Sequence, residues 1–118
     1  MHSTDNDYLE KQLKICMKYS QISDLVELDT LIALGKNFNP NIQINGLRHP
    51  RTKTLTGWYI WSGEYSDVDD FFQPSHTYHL LENASFIMPY LGLPAGNRFL
   101  IDSKGYEDIW LDENLLNV

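Results

Sequence analysis

The chain holds a single cysteine, Cys16, in 118 residues. That excludes an internal disulfide and any zinc or iron–sulfur centre built on cysteine ligands. No apolar run approaches the ~20 residues that span a bilayer. The start MHSTDNDYLE lacks the basic and apolar regions of a signal peptide, so the expectation is a soluble, cytoplasmic protein with no membrane association. A Gly-rich phosphate loop, a nucleophile elbow and an HExxH motif are all missing. Repeats, low-complexity tracts and linkers are missing too, so one domain is expected over residues 1–118, with N-terminal helices in 1–36 and a sheet-containing core in 40–112. The composition, 42% apolar and 13% aromatic, is that of a folded chain.

Basic residues are scarce in one half. Residues 1–60 carry seven Lys/Arg and six Asp/Glu, whereas residues 61–118 carry two and ten, so the second half (−8) outweighs the first (+1) in the net charge of −7. A field of that sign repels phosphate backbones, which argues against nucleic-acid binding, and it steers a basic protein partner inward.

Residues 7–20 read as an amphipathic helix, with Tyr8, Leu9, Leu13, Cys16, Met17 and Tyr19 on one side and Lys11, Lys14 and Lys18 on the other. Asp5 or Asn6 is placed to cap it. Ser23 is placed to cap a second helix aligned on Leu25, Leu28 and Ile32 and stopped by Gly35. Asn39-Pro40 and Asn45-Gly46 read as turns around a short strand, and residues 48–56 as an exposed basic loop. Gly57–Trp61 is apolar on both faces, which marks a central strand. An acidic loop follows, then a helix opened by Pro74, then a short one capped by Ser85. Residues 98–102 and 106–111 form a hairpin around Asp102–Gly105. The fold class is therefore α+β: N-terminal helices on a roughly four-stranded, mainly antiparallel sheet, with a helical insertion before the C-terminal hairpin.

Few residues are arranged for chemistry. Cys16 lies on the apolar helix face as a small hydrophobe. His76 and His79 would stand about 60° apart on a helix and share a metal with an acidic-loop carboxylate. This is the basis of an alternative reading, a metal-binding or metal-dependent hydrolase module. Asp67, Asp69 and Asp70 lack the glycine and distal glutamate of a calcium loop. Glu107 and Asp108 are strand neighbours that point to opposite faces, so they cannot converge on one atom, and Arg98 is the partner expected for one of them. No catalytic residue, metal or cofactor is assigned. The rings Trp58, Trp61, Tyr65, Phe71, Phe72, Phe99, Tyr106 and Trp110 crowd the acidic half, for packing or for an interface. A sensor stacking a small molecule on Trp58, Trp61 or Trp110 is a further alternative.

The blocks Gly57-Trp58-Tyr59-Ile60-Trp61-Ser62-Gly63-Glu64, Phe71-Phe72-Gln73-Pro74 with His79-Leu80, Pro89-Tyr90-Leu91-Gly92-Leu93-Pro94, Gly96, Arg98-Phe99-Leu100 and Gly105-Tyr106-Glu107-Asp108-Ile109-Trp110 resemble a family of small acidic bacterial proteins. These are the Imm-type immunity proteins of polymorphic-toxin and interbacterial competition systems, and the resemblance covers about residues 44–112. It implies a non-enzymatic protein that binds a cognate toxin and occludes it. Toxins that act on nucleic acid or nucleotides often carry basic active-site clefts. Charge therefore nominates Glu64, Asp67, Asp69 and Asp70, aided by Glu107 or Asp108, as partner-binding residues, with Tyr65 and Phe71 as anchors between them.

Overall fold

The computed structural model describes residues 4–117, with the side chains of residues 4–6 left out. Helix α1 runs Thr4–Lys18, so it begins before the expected cap; the side chains of Asp5 and Asn6 lie outside the described residues. The strands are β1 (Leu31–Gly35), β2 (Ile44–Arg48), β3 (Leu55–Ser62), β4 (Phe72–His76), β5 (Asn97–Ile101) and β6 (Glu107–Leu111). They form one six-stranded sheet in the order β4-β1-β3-β2-β5-β6. β1 and β3 are parallel and every other pair is antiparallel. The α+β class stands and four of the five pairings are antiparallel, but the sheet has six strands rather than about four, and the parallel β1–β3 pair makes it mixed.

The missing strands come from two misread segments. The expected second helix over 23–35 is an extended stretch followed by β1, because a short apolar run such as LIALG has no period that separates helix from strand. The segment expected to hold only helices thus supplies a strand inserted between β4 and β3. Gly35 does not stop a helix; a Cβ there would lie 2.8 Å from Trp61 Cβ, so glycine lets the strands approach. Pro74 likewise opens no helix. It sits in β4, at the edge of the sheet, where a residue without an N–H is tolerated. Helix α2 (Thr77–Asn83) starts three residues later and leads into a 3-10 helix, Ser85–Tyr90, whose start takes no side-chain cap.

Asn45-Gly46 is not a turn but the middle of β2. Phe99 lies across Gly46, and a Cβ there would meet the ring at 2.3 Å. The GWYIW block forms β3, which lies inside the sheet, between β1 and β2. Alternation sends Trp58 and Ile60 to one face, where they meet Ile32, Ile44, Phe99 and Ile101 with Tyr8 and Cys16 of α1 and Ile87, Met88, Leu91 and Leu93 after α2. Tyr59 and Trp61 point to the other face.

Two buried polar side chains fasten the layers, one tying α1 to the extended segment after it and one tying that segment and the 91–93 turn to the sheet. Gln12, fully buried on α1, accepts from Val26 N at 2.9 Å and donates to Val26 O at 3.1 Å, so its amide serves the extended segment as a strand partner does. Arg48, expected in an exposed loop, is fully buried at the end of β2. It donates to Thr56 O (3.0 Å), Asp24 O (2.8 Å), Leu91 O (3.2 Å) and Leu93 O (2.9 Å). Its Nη2 lies 3.2 Å from the Asp24 carboxylate without the alignment of a hydrogen bond. Burial pushes its pKa down to about 10, and the Asp24 charge opposes that shift.

Candidate functional site

Cross-strand pairing decides what the second face of the sheet presents. Phe72 and Pro74 of β4, Ala33 of β1, Tyr59 and Trp61 of β3, Leu47 of β2, Arg98 of β5 and Trp110 of β6 all fall on it, because partners in register share a side. Among the described residues, α1, α2 and the 3-10 helix Ser85–Tyr90 contribute their buried side chains to the opposite face.

One end of this open face is aromatic. Phe72 packs edge-on against Tyr59 (5.1 Å between ring centres), Trp61 (5.9 Å) and Phe71 (4.9 Å), while Tyr65 approaches Trp61 at 5.4 Å. His49 meets Tyr59 edge-on at 5.3 Å. Trp61 is buried by these neighbours, whereas Tyr65 remains 60% exposed. The rings leave three adjoining hollows that share Tyr59 as a wall. One, of about 230 Å³, lies between Ala33, His49, Leu55 and Tyr59; a second, about 240 Å³, between Leu47, Tyr65 and Phe72; and a third, about 330 Å³, between Tyr59, Phe72, Pro74 and Asp69.

The loop from Gly63 to Phe71 borders the cluster and brings together Glu64, Tyr65, Asp67, Asp69, Asp70 and Phe71. Its ends are fixed by Gly63 N donating to Gln43 O (3.0 Å) and Lys36 N donating to Phe71 O (2.8 Å). Lys36 Nζ also donates to Asp70 Oδ2 at 2.6 Å. That bond, and then the lysine charge, hold the Asp70 carboxyl below the usual carboxylate range. Glu64, Asp67 and Asp69 are exposed, and among the described residues no cation pairs with them.

The other two nominated acids lie elsewhere. β6 and β4 are the two edges of the sheet, five spacings or about 24 Å apart. Asp108 is exposed on the open face, but Glu107 turns to the helical layer. There it accepts from Lys18 Nζ (2.7 Å), Tyr90 Oη (2.6 Å) and Tyr19 Oη. Its desolvation, which alone would raise the carboxyl pKa, is outweighed by the bonds from Lys18, Tyr19 and Tyr90, and the pKa falls to about 2. Burial, and then the bond to this carboxylate, push the Tyr19 phenol up to about 12. Arg98 serves neither acid as expected: it pairs with Asp112 at 3.2 Å and lies over Trp110, 5.7 Å from the ring centre.

The histidine pair loses the helical geometry assumed for it. His76 ends β4 and stacks on Tyr78, His79 is in α2, and the two rings are 6.1 Å apart. Among the described residues, no group of three or more His, Cys, Asp or Glu is placed to hold a metal ion. Cys16 is buried, its thiol directed at Gly92 O at 3.2 Å, and desolvation raises its pKa. The aromatic set divides as well. Trp58 and Phe99 are core, with Trp58 Nε1 donating to Leu91 O at 2.8 Å; Trp61, Tyr65, Phe71 and Phe72 form the cluster; Tyr106 and Trp110 lie toward the β6 edge. Sequence reasoning missed Tyr59, His49 and Leu47 as walls of one groove. The signal available was the alternation in GWYIW, which puts Tyr59 and Trp61 on the face opposite Trp58 and Ile60 without saying which face is the core.

These features define a small α+β protein with one open, aromatic sheet face bordered by an acidic loop. Its family follows from a family model, that of the Imm33-like domain, which matches residues 11–112; the chain belongs to this immunity-protein-like family. The match takes in all the blocks quoted above and the C-terminal half of α1. Searches of the curated proteins and of the solved structures return no match to the chain. No helix among the described residues is long and apolar enough to cross a membrane.

Proposed function

We propose that this protein is an immunity protein that binds a cognate toxin stoichiometrically and neutralises it by occlusion, using the aromatic cluster and the Gly63–Phe71 loop. Membership of the Imm33-like family supports a toxin as the partner. The observation that carries the choice of surface is the exposure of three unneutralised carboxylates, Glu64, Asp67 and Asp69, beside the exposed ring of Tyr65. Carboxylates steer a basic partner and set register, and buried rings supply most of the contact energy. A toxin with a basic active-site cleft is the complement of such a surface. Asp108 and Trp110 extend the face toward β6, while Glu107 is committed to holding α1. The reading is of a binding protein without catalysis, with no nucleic acid, membrane or cofactor involved.

The test is co-expression with the toxin encoded beside it, followed by calorimetry of the purified pair. Rescue of growth and a one-to-one complex are expected. Asp67→Asn with Asp69→Asn should weaken binding at least tenfold, with most of the loss in association rate and diminishing at high salt. Unchanged affinity for that double variant removes the loop from the interface; failure of the wild-type chain to bind any neighbouring toxin removes the immunity reading.

A further inference from the structure

Resting on that reading, we infer that the hollow between Tyr59, Phe72, Pro74 and Asp69 receives an arginine side chain of the partner. The hollow is the largest of the three around Tyr59, about 330 Å³, and its walls are mainly apolar, Ala33, Leu55, Tyr59, Phe72 and Pro74, with Gln73 among them. A purely apolar side chain would fill such a space, but Asp69 stands at its margin. Asp69 has no cationic partner among the described residues, in contrast to Asp70, which is held by Lys36. An occupant with an apolar stem and a cationic end satisfies both features.

Arginine fits better than lysine for a geometric reason. Its planar guanidinium stacks on rings and bonds a carboxylate through two parallel N–H groups, whereas an ammonium is a compact, strongly hydrated charge. Tyr59 and Phe72 meet with their planes at 90° and 5.1 Å between ring centres, and both half-exposed rings line the hollow, where a guanidinium can lie against them. Arg48 and Arg98 already lie against Trp58 and Trp110 at 5.6 and 5.7 Å within this chain, the same pairing of guanidinium and ring. Neither is available to the hollow, since Arg48 is buried on the core side and Arg98 is paired with Asp112.

Two arms test this. In the first, N-acetyl-arginine-N-methylamide is titrated into the isotope-labelled full chain and followed by amide NMR, beside its neutral isostere N-acetyl-citrulline-N-methylamide. Saturable shifts confined to Tyr59, Asp69, Phe72 and their neighbours are expected, at least fivefold weaker for citrulline and for Asp69→Asn. Equal response to both probes, shifts elsewhere, or no response overturns the inference. In the second arm, Tyr59→Ala and Asp69→Asn are each measured against the neighbouring toxin, with folding verified by the amide spectrum; Tyr59→Leu, which keeps apolar bulk but removes the ring face, guards against collapse. At least a tenfold loss is expected for each. A toxin that binds the wild type and all three variants equally overturns the arginine pocket and leaves the immunity reading standing; a toxin that does not bind the wild type overturns the immunity reading, and the probe titration still decides the pocket.

Discussion

Replacing Arg48 with methionine preserves approximate volume and removes every donor. Four carbonyls then lose a charged partner: those of Thr56, Asp24, Leu91 and Leu93. Leu91 O keeps its bond from Trp58 Nε1, and the bond to Asp24 O is only partly buried, so water can replace the guanidinium there. Leu93 O is left orphaned and Thr56 O loses its side-chain partner, at ~1–3 kcal/mol each. The relief of burying no charge, visible in the depressed pKa of Arg48, offsets part of that sum. A net loss of about 3 kcal/mol is expected, and with a urea slope of about 1.5 kcal/mol/M the midpoint falls by about 2 M at unchanged slope. Arg48→Lys should recover less than half of it, because one ammonium cannot reach carbonyls in three separate segments. Equilibrium urea unfolding followed by tryptophan fluorescence is the assay. A midpoint for Arg48→Met within 0.5 M of wild type would refute the view that this arginine ties the Asp24 and Leu91–Leu93 segments to the sheet.

Gln12→Leu keeps the bulk but leaves Val26 N and O without partners, so it should cost about 2–4 kcal/mol by the same measurement, whereas an exposed change such as Lys14→Gln should cost under about 0.5 kcal/mol. Gly46→Ala meets the Phe99 ring and should destabilise by at least 1 kcal/mol, and pairing it with Phe99→Leu should recover part of the loss in a double-mutant cycle. The Glu107 carboxyl titrates at about 2 when folded and near ~4.3 when unfolded, so its stabilisation is complete above about pH 5 and fades as pH falls toward 2. Urea midpoints measured from pH 6 to pH 2.5 should therefore fall less steeply for Glu107→Gln than for wild type. Asp70→Asn should leave toxin affinity within threefold, since Lys36 already neutralises that charge, whereas Asp69→Asn should not.

The parts of the fold that could be read from the chain were those fixed by local pattern. The amphipathic period of α1, the two-sided apolar run of β3 and the Asp102–Gly105 hairpin each need only near neighbours in sequence to be recognised. β1 and the true role of Pro74 depended on partners far away: LIALG becomes a strand because β3 and β4 flank it, and Pro74 because its strand is at the edge. The same distinction governs the surface. The acidic loop is contiguous and was visible as a charge run, while the groove is assembled from β1, β2, β3 and β4 and appears only with the register. Glu107 illustrates the limit most sharply. Its charge placed it with the loop acids, but its alternation in β6 puts it beneath Tyr90 and against Lys18, where it secures a helix instead.

The order of the sheet sets a constraint on biosynthesis. β1 is translated early, yet both of its neighbours, β3 and β4, come later in the chain, and β2 likewise waits for β3 and β5. Until the tryptophan-rich middle strand emerges from the ribosome, the nascent segments have no ladder to join, and pairing of such distant strands is slow, on the order of milliseconds to seconds. A ribosome stalled before residue 62 would hold unpaired apolar strands, and the sheet would be complete only after the last hairpin had closed.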